Sequence, residues 1–376
     1  MVSTACLCPF SSGTPPSQPV GWNMEADPGT GACLSFKIRK FAGEQKAFSL
    51  FPGFFYVILN FRKDCESAKH GTILIFNDIK EDFMQKGKII KGIGGFYYVH
   101  TRDNVIYECR AKGIFRKNGI KPLVGDDVGI EILDEKEKTG NLMEILPRKN
   151  TLIRPAVANV DQALVIFAVN RPKPNFNLLD HFLVMMEYQK VKTVICFNKE
   201  DLSTKEELEE LQRIYAGCES QVLFVSAGQE KGMEAVHEIL KGKTTTVAGP
   251  SGVGKSTLIN RICPQASMET GEISRKIDRG KHTTRHSELF YVEEDTYLMD
   301  KPGFSSLMLP EMEKEDLQNY FPDFTPFEPF CRFQGCLHDK EPDCGIKEAL
   351  AEGKISERRY QSYLEMLEEL KDRRKY

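Results

Sequence analysis

The sequence lacks several features that would indicate a membrane-spanning, secreted or strongly basic protein. No uninterrupted apolar run reaches about 18 residues, the length that a membrane-spanning helix needs, so we expect no membrane span. The first residues show no basic start followed by an apolar core, which argues against a secretory signal. The formal net charge is −3, so the chain as a whole carries no positive excess for binding nucleic acid. With 41% hydrophobic and 28% charged residues, its 376 residues indicate a globular protein of about two or three domains.

Residues 1–83 show no clear periodicity, and Pro, Gly and Ser interrupt their apolar stretches. We expect a disordered extension, or an upstream start that precedes the true one, because Met84 stands directly before the first well-patterned segment. An organelle-targeting segment is the weaker alternative.

Residues 84–153 contain about five short β-type runs separated by turn residues, which predicts a small barrel such as an OB-fold. Lys and Arg outnumber Asp and Glu there, unlike in the whole chain, so the barrel is a candidate nucleic-acid surface. Phe96, Tyr97 and Tyr98 are able to stack on bases, although alternate members of this run would equally fill the barrel core.

Residues 154–305 alternate between apolar runs of strand length and helical stretches. This alternation predicts an α/β domain with a parallel sheet covered on both faces. Ligands of such sheets bind beyond the carboxyl ends of the strands, and every candidate motif of this region falls at such an end.

The stretch "GPSGVGKST" has the pattern of a phosphate-binding loop between a strand and a helix. Its glycines allow backbone N–H groups to approach phosphate oxygens at a helix N-terminus. Lys255 would contact the β- and γ-phosphates, and Ser256 would ligate Mg²⁺. The predicted loop residues are Gly249, Pro250, Ser251, Gly252, Val253, Gly254, Lys255, Ser256 and Thr257.

The stretch "NKED" predicts guanine specificity. The carboxylate of Asp201 is suited to accept from guanine N1–H and the exocyclic amine, which adenine does not offer, and the stem of Lys199 would cover the base. Asn198 begins this motif, and Ser226 and Ala227 follow the next strand, where GTPases place a second guanine-contacting loop.

A threonine loop and a D-x-P-G motif complete the nucleotide site. Thr283 or Thr284 would join Ser256 around Mg²⁺, Asp300 would hold the ion through water, and the Gly303 N–H would sense the γ-phosphate. The residue after this motif is Phe304, which cannot orient a water molecule as a glutamine does. His282 is therefore the candidate catalytic residue, with a solvated loop histidine as the alternative.

The order of these motifs is a cyclic shift of the ordinary GTPase order, because the guanine-reading motif precedes the phosphate loop. A parallel sheet keeps its strand-end geometry when the chain termini are moved, so the sequence predicts a circularly permuted GTPase.

Eleven cysteines do not form a disulfide scaffold in a chain of this length, and three of them cluster with a histidine. Four soft ligands at short spacing suit one tetrahedral, structural Zn²⁺ in a small domain covering residues 306–376. A C-terminal helix follows, with a basic end that would be solvated or contact RNA. The predicted ligands are Cys331, Cys336, His338 and Cys344.

From Met84 onwards the chain resembles the ribosome small subunit-dependent GTPases (RsgA). The resemblance rests on the motifs above together with "GIFRKNGIKPLVGDDV", "RPAVANVDQAL", "GEISRKIDRGKHTTRHSELF", "DKPGFSSL" and "YFPDF". Lys301 departs from the family pattern, which has Thr or Ser there, and residues 1–83 match nothing in that pattern.

The resemblance implies an N-terminal OB-fold, a central permuted GTPase and a C-terminal zinc domain. It also implies binding to the small (30S) ribosomal subunit and its rRNA, stimulation of a low GTPase activity by that subunit, and a catalytic role for His282. We expect GTP and GDP as ligands, Mg²⁺ with GTP, one structural Zn²⁺, and a cytoplasmic monomer. The rival hypotheses are an RNA-binding module whose nucleotide site is a passive sensor, and a P-loop ATPase, which Asp201 opposes.

Overall fold

The computed structural model describes residues 84–113, 115, 119–152, 156–266, 288–300 and 308–373, and the backbone of three short N-terminal strands. The chain divides into two units, Met1–Asp78 and Ile79–Tyr376. In the first unit an antiparallel sheet is described, formed by β1 (Met24–Ala26), β2 (Leu34–Lys37) and β3 (Ala47–Ser49). The rest of residues 1–83 lies outside the described residues, so the role of this extension stays a prediction.

A five-stranded barrel opens the second unit, as the sequence predicts. Its order is β4-β5-β6-β8-β7, and β4 pairs again with β7 to close it. Phe96, Tyr97 and Tyr98 are all half-buried, so neither the core nor the exposed interpretation describes them fully. The strands are β4 (Gln85–Ile93), β5 (Phe96–Thr101), β6 (Ile106–Ala111), β7 (Asp127–Asp134) and β8 (Thr139–Ile145).

The central domain is built on a sheet of order β13-β12-β11-β14-β16-β15, which continues through β15 into β4 of the barrel. The first five of these strands are parallel, and β15 is antiparallel, which the sequence did not predict. The strands are β11 (Gln162–Ala168), β12 (Lys192–Asn198), β13 (Gln221–Val225), β14 (Thr244–Ala248), β15 (Glu288–Glu293) and β16 (Thr296–Asp300); a two-stranded pair, β9 (Thr151–Leu152) and β10 (Val157–Ala158), precedes them.

Helices cover both faces of this sheet, which explains why β11 is buried along its whole length. Leu164 and Ile166 point into one core, and Val165 and Phe167 point into the other, because successive side chains of a strand face opposite sides. The helices are α1 (Phe176–Tyr188), α2 (Lys205–Ile214), α3 (Met233–Leu240) and α4 (Lys255–Ile262).

The C-terminal domain is mostly helical and packs its apolar residues around Phe321, Phe324 and Tyr363. Two 3₁₀ helices, Lys314–Tyr320 and Glu328–Phe330, precede α5 (Gly345–Ala351) and α6 (Glu357–Arg373). The helical spacing predicted for α6 places Tyr360, Tyr363, Leu367 and Leu370 in the core, with Leu364 half-buried beside them. Among the described residues, no helix is both long and apolar enough to cross a membrane.

Candidate functional site

The phosphate loop lies between the buried strand β14 and the first turn of α4, as the sequence predicts. Gly249 has φ 144°, and a Cβ there would lie 2.1 Å from the carbonyl oxygen of Ile166. Gly254 has φ 95°, and a Cβ there would lie 2.3 Å from Asn198 Nδ2. A side chain at either position would therefore collide with a neighbouring strand, and both residues have positive φ, so the loop requires glycine at both.

The first turn of α4 presents Lys255, Ser256 and Thr257, all half-buried, at the positive end of the helix dipole. Lys255 Nζ donates to the carbonyl oxygen of Pro250 at 2.7 Å, which folds its side chain back over the loop. Val253 is buried in the core beneath, whereas Ser251 and Gly252 are exposed at the rim. This arrangement suits a polyphosphate lying across the loop.

Asn198 ends β12 and connects the phosphate loop to the loop after β13. Its Nδ2 donates to the Val253 carbonyl at 2.9 Å, and its Oδ1 accepts from the Ala227 N–H at 3.0 Å. The side chain is only 2% exposed. Asn198 therefore acts on the site by holding these two loops together.

Lys199 and Asp201 form the exposed edge of the site. Lys199 has a left-handed backbone, and its Nζ donates to the carbonyl oxygens of Arg171 at 2.6 Å and Gly252 at 2.8 Å. Asp201 accepts a 2.5 Å hydrogen bond from Ser226 Oγ at its Oδ1 and is otherwise open to solvent. A carboxylate oriented in this way beside the phosphate loop is suited to accept two N–H groups from one base.

The sequence motifs do not indicate the contact of the Arg171 carbonyl with Lys199. Arg171 belongs to the loop between β11 and α1, at the same sheet edge as the other motifs. The available signal was positional, since every loop at the carboxyl edge of a parallel sheet is a candidate for ligand contact.

Asp300 is the last residue of β16 and pairs with Val247 of β14, so its backbone lies next to the phosphate loop. The side chain of Asp300 and residues His282, Thr283, Thr284 and Gly303 lie outside the described residues, as do Lys301 and Phe304. Their predicted roles therefore stay predictions.

A second site lies in the C-terminal domain, where Cys331, Cys336, His338 and Cys344 place one ligand atom each within 4.8 Å of one another. His338 Nδ1 is 3.3 Å from Cys344 Sγ and 3.6 Å from Cys331 Sγ, and the two sulfurs are 3.8 Å apart. Tetrahedral coordination with Zn–S bonds of about 2.3 Å needs sulfurs about 3.8 Å apart, so the cluster fits such an ion.

Burial sets the protonation of these ligands. It lowers the pKa of His338 to about 4, which leaves a neutral imidazole at pH 7. It also raises the pKa of the Cys336 thiol to about 12 and that of Cys344 above its usual value. A divalent cation would bind the thiolates and displace their protons, so this cluster could hold a metal.

The fold and the nucleotide site define a class of protein. A phosphate loop, a guanine-type N-K-x-D edge and the strand end at Asp300 lie at one edge of a parallel sheet, in cyclically shifted chain order. This is a circularly permuted P-loop GTPase with a β-barrel before it and a small cysteine-rich domain after it.

Comparisons with known proteins identify the family. The model of the RsgA GTPase matches residues 145–310, and that of the RsgA N-terminal domain matches residues 86–140. Two relatives are named small ribosomal subunit biogenesis GTPase RsgA. The one from Agathobacter rectalis is 57% identical over 300 residues, covering 77% of this chain and 99% of the relative. The one from Alkaliphilus metalliredigens is 51% identical over 293 residues, covering 78% and 100%.

Solved structures give the same result. The crystal structure of YjeQ from Thermotoga maritima matches with TM-score 0.65 and 35% identity, covering 76% of this chain and 98% of that one. The structure of YloQ, described as a circularly permuted GTPase, matches with TM-score 0.62 and 39% identity, covering 77% and 96%. The chain belongs to the RsgA GTPase family and is a P-loop GTP hydrolase.

Proposed function

We propose that this protein hydrolyses GTP during late maturation of the small (30S) ribosomal subunit, that the subunit stimulates hydrolysis, and that hydrolysis times release. The observation that carries the GTPase part is the joining of the phosphate loop to the guanine edge by Asn198 and Lys199. The printed names of its relatives, small ribosomal subunit biogenesis GTPase, support the subunit as partner.

The proposed nucleotide site combines residues that the structure describes with residues outside the described ranges. Asp201 reads guanine, Lys255 binds the β- and γ-phosphates, and Ser256 ligates Mg²⁺ with Thr283 or Thr284. The full set is Asn198, Lys199, Asp201, Ser226, Ala227, Gly249, Pro250, Ser251, Gly252, Val253, Gly254, Lys255, Ser256, Thr257, Thr283, Thr284, Asp300 and Gly303.

His282 is the proposed catalytic residue. Its place in the threonine loop, together with Phe304 after the D-x-P-G motif, makes it the candidate for positioning the attacking water. In this proposal the subunit orders the loop that carries His282. GTP affinity would then depend little on His282, whereas stimulated turnover would depend on it strongly.

The flanking domains are the proposed contacts with the subunit. The barrel, residues 84–153, presents Lys and Arg beside half-buried aromatics, and the Arg110 guanidinium lies 4.8 Å from the Phe96 ring centre. Such a surface suits rRNA phosphates and unstacked bases. Residues 154–305 form the GTPase domain, and residues 306–376 form a domain stabilised by one Zn²⁺. The protein acts as a cytoplasmic monomer in this proposal.

The test is nucleotide turnover with GTP and with ATP, with and without purified small subunits. We expect the protein to hydrolyse GTP and not ATP, and we expect small subunits to stimulate this hydrolysis. In His282→Ala the stimulated turnover should fall about 100-fold. His237→Ala is the matched control, because His237 is exposed in the last turn of α3 and belongs to none of the predicted motifs.

Each alternative hypothesis has its own result in this assay. Equal turnover of ATP would indicate an ATPase, and nucleotide binding without turnover would indicate a passive sensor. If His282→Ala were stimulated like wild type, the catalytic group would have to come from elsewhere.

A further inference from the structure

The two ring nitrogens of His338 face different surroundings. Nδ1 faces the sulfurs of Cys331 and Cys344, and Nε2 lies 2.7 Å from the side-chain oxygen of Gln318. An amide oxygen only accepts hydrogen bonds, so Nε2 must carry the hydrogen. In a neutral imidazole this leaves the lone pair on Nδ1, which is the atom that points at the metal position.

The orientation of the Gln318 amide is itself determined by a second hydrogen bond. Its Nε2 donates to the carbonyl oxygen of Glu315 at 3.0 Å, so its Oε1 is the atom turned towards His338. Rotation of the amide by 180° would bring an NH₂ group against the histidine N–H and another oxygen against a carbonyl. Both contacts would be repulsive, so the network has one consistent arrangement.

Other contacts hold the His338 residue without selecting its tautomer. Its ring packs edge-on against Phe324, with ring centres 5.9 Å apart, and lies 6.1 Å from the ring of Tyr363. Tyr360 donates its hydroxyl hydrogen to the His338 carbonyl at 2.5 Å. These contacts restrict the ring plane and the backbone, but none of them distinguishes a protonated Nδ1 from a protonated Nε2.

We propose that Gln318 is the positioning residue of the metal site, which holds His338 in the tautomer that binds Zn²⁺ through Nδ1. The proposal rests on the zinc site proposed above. Outer partners of ligating histidines raise affinity by about 10–100-fold, because they fix the tautomer and increase ligand basicity. The spacing of the cysteines and the histidine does not indicate a role for Gln318, because Gln318 lies outside the ligand cluster in the sequence.

The position of Gln318 gives the contact a second consequence. Gln318 lies on the 3₁₀ helix Lys314–Tyr320, whose Leu317 is fully buried in the domain core. This helix is the first one described after the D-x-P-G motif. Metal bound to His338 should therefore hold this helix against the cluster, so the metal site would stabilise a segment that follows the D-x-P-G motif in the sequence.

The experiment compares the full-length protein with Gln318→Ala, Gln318→Glu and Gln334→Ala. Glutamate keeps an acceptor for His338 but loses the donor to Glu315, and the exposed Gln334 lies between two ligands as a matched control. Zinc affinity is measured by competition with a chromophoric chelator. Amide hydrogen exchange of residues 314–320 is then compared with and without Zn²⁺.

We expect Gln318→Ala to bind Zn²⁺ about 10–100-fold more weakly and to lose the zinc-dependent protection of residues 314–320. Gln318→Glu should bind within about threefold of wild type, and Gln334→Ala should match wild type. Wild-type affinity in Gln318→Ala would overturn the proposal. Equal weakening in the alanine and glutamate variants would also overturn it, because the donor to Glu315 would then be the contact that matters.

The proposal and the zinc site on which it rests fail in different ways. A wild-type protein that binds no Zn²⁺ would overturn both. A wild-type protein that binds Zn²⁺, with an alanine variant that binds it equally well, would overturn only the role of Gln318.

Discussion

The barrel and the C-terminal domain attach to the GTPase domain by different kinds of contact. The barrel joins it by strand pairing, since Glu288 of β15 lies opposite Lys91 of β4 and their side chains form a 3.0 Å ion pair. Next to this pair the buried His100 lies 2.9 Å from the Tyr297 hydroxyl and 2.8 Å from Asn104 Oδ1. The junction is therefore a continuous sheet edge with buried polar contacts, which include a 3.0 Å hydrogen bond from Asn159 Nδ2 to the Gly125 carbonyl oxygen.

The C-terminal domain docks through a buried cation instead. Arg359 of α6 is 1% exposed and donates to Asp180 of α1 at 2.6 Å and to Asp323 at 2.9 Å. His181 Nε2 lies 3.0 Å from Glu369 Oε2 on the outer side of the same pair of helices. A guanidinium held by two carboxylates out of water gives this junction one geometry, because any other would leave a buried charge unpaired.

The difference shows which elements of the GTPase domain each flanking domain packs on. The barrel touches β15 and β16, the strands that border the segments with the predicted threonine loop and D-x-P-G motif. The C-terminal domain docks on α1, which follows the loop whose Arg171 carbonyl binds Lys199. One domain therefore packs on the strands next to the predicted threonine loop and D-x-P-G motif, and the other packs on the helix that follows the Arg171 loop.

The largest effect should come from Arg359→Met, which removes the cation between two buried carboxylates. We expect a loss of about 3–5 kcal/mol in the free energy of opening of α6, measured by amide hydrogen exchange. Arg358→Met is the control, because Arg358 is exposed on the same helix and its contact with the Phe176 ring of α1, 5.8 Å away, should contribute no more than about 0.5–1 kcal/mol. Equal exchange rates in both variants would show that the buried triad does not hold this junction.

An intermediate effect should come from Tyr297→Phe at the barrel junction. The change removes the hydroxyl that donates to His100 Nδ1 and leaves a buried acceptor unpaired, which should cost about 1–2 kcal/mol. Hydrogen exchange of β5 and β16 measures this loss. Tyr291→Phe keeps the ring that lies 4.3 Å from the His100 ring, and a loss as large in that variant would contradict the role of the Tyr297 hydroxyl.

The smallest effect should come from Lys91→Ala, which breaks the half-exposed ion pair with Glu288. Such pairs contribute at most about 1 kcal/mol, so exchange of β4 and β15 should change little, and 1 M salt should abolish the difference. A loss greater than that of Tyr297→Phe would mean that this ion pair, and not the buried histidine, holds the barrel in place.

The sequence by itself determined the barrel, the α/β domain and the position of the phosphate loop, because strand periodicity, glycine spacing and turn residues are local signals. The four metal-ligand candidates were also readable, since they lie within fourteen positions of one another, from Cys331 to Cys344. The roles of His282, Thr283 and Thr284 stay predictions.

Only the tertiary structure decided which distant side chains meet. Asn198 joins two loops. Arg359 pairs with Asp180, which is 179 positions away in the sequence, and Gln318 orients His338, which is 20 positions away. Neither Arg359 nor Gln318 belongs to a spacing pattern, and each looks like an ordinary surface residue in the sequence. The role of Arg359 arises from its burial, because a charge becomes decisive when water is excluded and few partners remain within reach. The role of Gln318, which is itself half-buried, arises from its contact with the buried His338.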